Sequence, residues 1–253
     1  MLVSNYIVIT RPKAESEELS RQIKSVGLQV LYCPSITISN NLSAKDLEKY
    51  LSNISHFDWI IFTSSNGVKF FIQGIQRIGK GLPDLRNIQI AAIGEKTADT
   101  AKRYGLYVNF IPSKSTSSDL ANELNITKGN NILLPRSGIG NPNLKTIFES
   151  KGAIVTEMPV YKTRYLKTDM IRFKKKIEAN KILGITFTSP STVEGFLKNI
   201  KEFSEYKRLF SIPAISIGHT TTETLKNYHF ENIYTADTHT TEGIVTKLKE
   251  IDL

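Results

Sequence analysis

The chain is poor in the residues that build disulfide frameworks and metal sites. Its 253 residues include one cysteine and four histidines. The single cysteine, Cys33, cannot form an intramolecular disulfide, and this favours a reducing compartment. The histidines do not stand at metal-ligand spacing, so we expect no metal site; they are His56, His219, His229 and His239.

Long apolar runs are also missing. No stretch approaches the roughly 18 consecutive apolar residues of a membrane span, so we expect no transmembrane helix. The start of the chain, Met1–Tyr6, has no basic region followed by an apolar one, so we expect no signal peptide. With the single cysteine, these absences predict a cytoplasmic protein.

Several sequence motifs of catalysis and nucleic-acid binding are absent. There is no G-x-x-x-x-G-K-[ST] phosphate loop, no G-x-S-x-G, no H-E-x-x-H and no C-x-x-C. The net charge is 33 − 24 = +9, which indicates an acidic partner. Because no nucleic-acid-reading motif accompanies that charge, we expect a small polyanionic ligand and no nucleic acid.

The chain does contain an internal repeat. Segment Ile7–Ile36 aligns with Ile132–Tyr161 at an offset of 125 residues, and Ile60–Ser64 aligns with Ile185–Ser189 at the same offset. A third block, beginning at Ile93, matches one beginning at Ile217 after a slip of one residue. Three blocks in the same order indicate a duplication of a unit of domain size.

Each copy alternates short apolar strands with amphipathic helices. In the first copy, Ile7–Ile9 is typical of a strand, Ala14–Ser25 of a helix that Gly27 ends, and Val30–Tyr32 of the next strand. This alternation predicts an α/β fold with two similar doubly wound parallel-sheet domains. The segments near 34–38 and 159–163 are equivalent in the two copies, so we expect them to pair as a two-stranded β connector.

Hydroxyl-rich turns follow the predicted strands, where open α/β sheets bind their ligands. They could cap the following helices, or they could bind carboxylate or phosphate together with helix N-terminal amides, and one turn can do both. The sequence leaves these two interpretations open. The candidates for substrate binding are Thr63, Ser64, Ser65, Thr97, Ser137, Thr188, Ser189, Thr220 and Thr221.

Two arginines occupy equivalent strand ends. Arg11 and Arg136 each end the first strand of their copy. Either could be an ordinary surface residue, but the repetition favours bidentate binding of a carboxylate or phosphate.

One difference between the copies singles out a tyrosine. Tyr161 stands where the first copy has Ile36. A duplicated binding scaffold needs only one acid, so Tyr161 is the catalytic candidate. The alternative is an exposed aromatic residue in a connector strand.

The motifs together resemble the uroporphyrinogen-III synthase family over essentially the whole chain. The residues that carry the resemblance are Ile9–Pro12, Pro34, Phe62–Val68, Ile93-Gly94 with Thr97, Pro159–Tyr161, Phe187–Ser191 and Ile217–Thr221. The resemblance implies two domains that are not the sequential repeats. One would combine residues 1–36 with 164–253, the other would be 37–163, and the active site would lie in the cleft between them.

The resemblance also implies a reaction. The family's substrate is hydroxymethylbilane, a linear tetrapyrrole with carboxylates on every ring, and the product is uroporphyrinogen III, formed with loss of water and inversion of the last pyrrole ring. We expect Tyr161 to hydrogen-bond or protonate the departing hydroxyl. We expect no cofactor, because the substrate carries its own reactive group. We also expect no membrane partner and a monomer.

Two alternatives from other classes stay open at this point. A non-catalytic two-domain protein that closes on an anionic small ligand would explain the repeats and polar strand ends equally well, but it would not need Tyr161. A nucleotide-sugar transferase would usually be a longer chain, and a diphosphate-binding loop is missing here.

Overall fold

The computed structural model describes residues 5–138, 143–201 and 206–251. The chain divides into two compact units. Unit 1 combines Met1–Ile38 with Arg164–Leu253, and unit 2 is Ser39–Thr163. The chain passes from unit 1 to unit 2 within one strand, Ile36–Asn40, and returns within another, Ile154–Tyr165.

The described residues form strands β1–β10 and α-helices α1–α11, with three short 3₁₀ helices. The strands are β1 (Tyr6–Ile9), β2 (Gln29–Tyr32), β3 (Ile36–Asn40), β4 (Trp59–Phe62), β5 (Gln89–Ala92), β6 (Asn131–Ser137), β7 (Ile154–Tyr165), β8 (Ile182–Phe187), β9 (Ala214–Ser216) and β10 (Ile233–Thr235). The helices are α1 (Glu17–Ser25), α2 (Ala44–Leu51), α3 (Ser65–Arg77), α4 (Glu95–Arg103), α5 (Ser117–Glu123), α6 (Asn143–Ser150), α7 (Ile171–Glu178), α8 (Pro190–Ile200), α9 (Tyr206–Leu209), α10 (His219–Asn227) and α11 (Thr241–Glu250).

Unit 1 is built on a five-stranded sheet in the order β10-β9-β8-β1-β2, and every neighbouring pair is parallel. Successive side chains of a strand point to opposite faces of the sheet. The side chains of β1 are buried on both faces. Val8 packs in a cluster with Phe187 and Phe196, whereas Ile7 and Ile9 pack with α1 and α11 in a second cluster. Helices therefore cover both faces of the sheet.

Unit 2 has a sheet in the order β3-β7-β6-β4-β5, in which β7, β6, β4 and β5 pair in parallel. Ile61 of β4 belongs to a cluster on one face with Leu120 and Phe148. The next residue, Phe62, packs on α3, with its ring centroid 5.5 Å from that of Phe71. The predicted α/β fold with two parallel sheets is confirmed.

The two units have the same strand order once the repeat is followed. In unit 2, β6 and β7 occupy the places of β1 and β2, and β4 and β5 occupy those of β8 and β9. A single bridge between Ala91 and Phe110 stands where β10 pairs in unit 1. Unit 1 thus takes β1 and β2 from the first copy of the repeat and β8 and β9 from the second, whereas unit 2 takes β6 and β7 from the second copy and β4 and β5 from the first.

Helix α1 begins later than the sequence predicts. Residues Lys13–Glu15 form a 3₁₀ turn, and the α-helix starts at Glu17. Buried Ser16 donates its hydroxyl to the carbonyl of Pro12 at 2.8 Å, which closes this tight turn before the helix. Gly27 follows the helix end with φ +83°, the left-handed conformation that a glycine adopts without strain.

Candidate active site

Most predicted site residues lie just beyond the carboxyl ends of strands in both units, whereas Arg136 and Ser137 are the last residues of β6 and Tyr161 lies within β7. In each unit, the strand order places a topological switch point between two central strands, where open parallel sheets bind ligands. In unit 1 it lies between β1 and β8, and in unit 2 between β6 and β4. The predicted site residues in unit 1 are Arg11, Thr188, Ser189, Thr220 and Thr221; those in unit 2 are Thr63, Ser64, Ser65, Thr97, Arg136, Ser137 and Tyr161.

Two of the predicted binding serines are helix caps. Ser64 Oγ accepts a hydrogen bond from the Gly67 amide at 3.0 Å at the start of α3. Ser189 Oγ accepts one from the Thr192 amide at 3.3 Å at the start of α8. Both serines therefore cap helices, as one of the two interpretations predicted. Each capped N-terminus directly follows the carboxyl end of a strand, β4 for α3 and β8 for α8. The first-turn amides there are suited to bind an anion.

Tyr161 lies next to Ser64, the N-cap residue of α3. Its hydroxyl oxygen is 3.2 Å from Ser64 Oγ. The half-buried ring stacks on Phe70 of α3, with the centroids 5.7 Å apart and the planes 25° from parallel. The phenol is therefore held by a hydroxyl at its tip and by an aromatic ring along its face.

A bulge in β7 sets the register of Tyr161. Arg136 of β6 pairs with Pro159, but the next residue, Ser137, pairs with Tyr161, so Val160 is the extra residue. Bulges of this kind redirect side chains and occur next to active sites. Because of this shift, Ser137 and Tyr161 are directly opposite each other on neighbouring strands.

The two strand-end arginines both have carboxylate partners within their own units. Arg11 pairs with Glu15 at 2.9 Å, and both side chains are partly exposed. Arg136 is 7% exposed and pairs with Glu157 of the neighbouring strand. A ligand carboxylate would compete with these internal partners or share the guanidinium with them.

Two threonines have hydroxyls available for a ligand. Thr97 in the first turn of α4 is 6% exposed, and its counterpart Thr221 in α10 is 3% exposed. Among the described residues, neither side-chain oxygen makes a hydrogen bond, and neither is a fully buried unsatisfied atom. Both hydroxyls therefore reach solvent from otherwise buried residues. The neighbouring Thr220 is exposed.

Ser65 binds within the protein. Its hydroxyl lies 3.0 Å from Thr100 Oγ1 and donates to the Lys96 carbonyl at 3.3 Å. These contacts join the first turn of α3 to α4. Thr63 and Thr188, which follow β4 and β8, are half-buried in the turns before the caps.

A second tyrosine four residues along β7 has a different environment. The hydroxyl of Tyr165 donates to the carboxylate of Glu194, and this hydrogen bond, with burial, raises the pKa of Tyr165 to about 12. A carboxylate partner opposes loss of the phenol proton. The hydroxyl of Tyr161, in contrast, lies beside the uncharged hydroxyl of Ser64.

Sequence reasoning did not single out Phe70 or Gly67. A Cβ at Gly67 would lie 2.7 Å from the Pro135 carbonyl oxygen, so the start of α3 approaches the end of β6 as only glycine permits. The signal for both was present in the repeat, because Phe70 aligns with Gly195 and Gly67 with Thr192. Such differences between copies mark places where the two units differ in function or packing.

Within residues 5–138, 143–201 and 206–251, no group of three or more His, Cys, Asp or Glu side chains could hold a metal ion. Over the same residues, no helix has the length and apolar character of a membrane span.

Comparison with known proteins places the chain in a family. The model described as "Uroporphyrinogen-III synthase HemD" matches residues 17–246. The chain belongs to the uroporphyrinogen-III synthase family. A Ruminiclostridium josui protein named "Porphyrin biosynthesis protein HemD" is 30% identical over 252 residues, which are 99% of this chain but 49% of that protein. The uroporphyrinogen-III synthase of Synechococcus elongatus is 25% identical, over 98% of this chain and 96% of that protein.

Solved structures from the family share the fold. A uroporphyrinogen-III synthase structure from Thermus thermophilus superposes with a TM-score of 0.69 at 17% identity, covering 98% of each chain. The Helicobacter pylori enzyme gives a TM-score of 0.66 at 21% identity, over 97% of this chain and 99% of that one. Family membership confirms the resemblance found in the sequence and lends no support to the binding-protein alternative.

Proposed function

We propose that this chain is an enzyme that converts hydroxymethylbilane into uroporphyrinogen III, with loss of water. The observation that carries the proposal is the family match over residues 17–246, which includes Tyr161. The proposal extends to a monomeric, cytoplasmic enzyme without a metal or organic cofactor. The chain spans about half the length of the Ruminiclostridium josui relative, so that protein contains a further segment of similar size.

The chemical step begins with loss of the terminal hydroxyl of the bilane. Tyr161 gives its proton to that oxygen, the carbon–oxygen bond breaks and water leaves. The resulting azafulvenium cation is attacked by the substituted carbon of the last pyrrole ring. The spiro intermediate fragments and closes again with that ring inverted, and the proton released at closure restores the phenol.

Much of the catalysis in this proposal comes from positioning. Without an enzyme, the bilane closes directly to the isomer with no inverted ring, so the protein must hold the chain in a conformation that disfavours this closure. Helix N-terminal amides behind Ser64 and Ser189 can bind substrate carboxylates. The hydroxyls of Thr97 and Thr221 offer further hydrogen bonds, because neither has a partner among the described residues.

The test is to supply freshly prepared hydroxymethylbilane and to separate the two uroporphyrinogen isomers after oxidation. We expect mainly isomer III, formed faster than isomer I forms in buffer. A product that is only isomer I, at the rate seen without protein, would refute the proposal. Light scattering on the same sample tests the monomer.

A further inference from the structure

One hydroxyl in unit 2 has two partners with different roles. Ser64 Oγ accepts the hydrogen bond of the Gly67 amide at 3.0 Å and also lies 3.2 Å from the hydroxyl of Tyr161. We infer that Ser64 is a positioning residue, which holds the Tyr161 phenol and directs its proton toward the leaving group. This inference rests on the proposed function. It differs from the role predicted by sequence, in which Ser64 binds the substrate itself.

The hydrogen-bonding capacity of serine makes this role possible. A serine hydroxyl has one hydrogen and two acceptor lone pairs. The Gly67 amide uses one lone pair, so the hydroxyl hydrogen of Ser64 can be donated to the oxygen of Tyr161. In that arrangement, the phenol's own hydrogen is oriented away from Ser64 and can be given to a substrate oxygen.

The same hydrogen bond stabilises the negative charge that proton transfer leaves on Tyr161. The phenol O–H bond breaks, a new O–H bond forms on the departing hydroxyl, and the carbon–oxygen bond breaks to release water. This leaves a phenolate on Tyr161 and a cation on the bilane. Ser64 keeps its hydrogen and continues to donate the hydrogen bond to the phenolate oxygen, which stabilises the charge, since hydrogen bonds to ionised groups are stronger than those to neutral ones.

Backbone packing fixes Ser64 in place. The close approach of Gly67 to the Pro135 carbonyl seats the start of α3 against the end of β6. Two residues further along β6, Ser137 pairs with Tyr161. One backbone contact therefore sets the positions of both hydroxyls, and the stack on Phe70 restrains the phenol ring.

Unit 1 contains the same cap without the phenol. Ser189 Oγ caps α8 and lies 3.0 Å from Ser191 Oγ. The residue equivalent to Tyr161 is Ile36, which is buried. Capping by this serine thus needs no tyrosine, and the hydroxyl pair is an additional feature of unit 2.

The decisive variant is Ser64→Gly. Glycine at an N-cap costs only a few tenths of a kcal/mol relative to serine, so α3 should remain folded while the hydroxyl is lost. We expect kcat to fall about tenfold, the effect of one hydrogen bond, with KM changed less than about twofold. Ser64→Thr keeps both the cap and the hydroxyl and should restore most of kcat. Ser64→Asp, an equally good N-cap with no hydroxyl hydrogen to donate, serves as the second variant if Ser64→Gly does not fold.

The matched control is Ser43→Gly. Ser43 caps α2 through the Asp46 amide, as Ser64 caps α3, and is paired with the Asp46 carboxylate. This variant should keep the wild-type kcat. A tenfold loss in Ser43→Gly as well would mean that loss of any cap lowers the rate, which would contradict a specific role for Ser64.

A double-mutant cycle separates positioning from structural effects. If Ser64 acts through the phenol, Ser64→Gly should have no further effect on kcat in a Tyr161→Phe background. An equal loss in both backgrounds would overturn the inference and leave the proposed function intact. Wild-type protein that forms no isomer III would instead overturn both.

Discussion

The two units have the same strand order but differ in what packs beside helix α8 of unit 1 and the equivalent helix α3 of unit 2. In unit 1, Gly195 of α8 lies so close to Ser35 that a Cβ would be 2.4 Å from its carbonyl oxygen. In unit 2, the aligned residue is Phe70, and its ring stacks on Tyr161. In unit 1 this position is therefore bordered by the Ser35 backbone and by the ring of Tyr165, 3.0 Å from the same Cβ, whereas in unit 2 it holds the Phe70 ring itself, stacked on Tyr161. Two units with the same strand order therefore differ in the side chains beside this helix, and only unit 2 has a phenol at the position of Tyr161, because unit 1 has Ile36 there.

The largest expected effect is on the phenol of unit 2. Tyr161→Phe should lower kcat about 100-fold or more, the range for loss of a general acid, with little change in thermal stability. The ring and its stack on Phe70 remain, so only the proton donor is removed. Steady-state kinetics and a melting curve measure the two effects. Wild-type turnover would remove Tyr161 from the mechanism and with it the functional difference between the units.

The packing of unit 1 gives the next largest effect. Gly195→Ala should destabilise the protein by about 1–3 kcal/mol, because the new methyl group would displace the Ser35 backbone. Urea unfolding measures this loss. The control is Gly81→Ala, where the nearest atom to a Cβ is 3.6 Å away and stability should hardly change. Equal effects of the two variants would show that the close contact in unit 1 is not what excludes a side chain.

The equivalent arginines should differ in their contribution to stability. Arg136→Ala leaves Glu157 without its buried partner, so we expect a loss of about 1–3 kcal/mol. Arg11→Ala breaks a partly exposed i, i+4 pair with Glu15, and we expect about 0–1 kcal/mol. Denaturant midpoints of the two variants test the order. A larger loss for Arg11→Ala would reverse this comparison.

The smallest effect concerns the cysteine of unit 1. Cys33 aligns with Met158 of unit 2, and both are buried. Burial raises the pKa of the Cys33 thiol to about 12, so the folded protein keeps it protonated at pH 8. Because the thiolate is the reactive form, a thiol reagent should label Cys33 slowly in the native protein and rapidly in urea. Equal rates in both conditions would contradict its burial.

The raised pKa of the Cys33 thiol also sets the direction in which folding stability changes with pH. The folded state holds the proton more tightly than the unfolded chain, whose thiol has a pKa near 9. This contribution to stability is complete below about pH 9 and is lost as the pH rises toward 12. A Cys33→Ala variant should lack that part of the alkaline loss.

Much of the fold and part of the candidate site could be predicted from the sequence. The repeat, the polar strand ends and the difference between Tyr161 and Ile36 can be read along the chain, so periodicity and alignment of the two copies were enough to find them. Phe70 and the bulge at Val160 were not found, because their importance depends on which strands and helices meet. The pairing of Arg136 with Glu157 was missed for the same reason, since the partner lies on a neighbouring strand.

The sequence alone shows that this protein contains two copies of one α/β unit with hydroxyl-rich strand ends, and that Tyr161 of the second copy stands where the first has Ile36. Periodicity and offset cannot tell which copy of a strand pairs with which, because both copies present the same apolar pattern to a sheet. The tertiary structure decided that β1 and β2 join β8, and that β6 and β7 join β4. It also decided that the phenol of Tyr161 meets Ser64, since that contact joins residues 97 positions apart through the packing of α3 on β6 and β7.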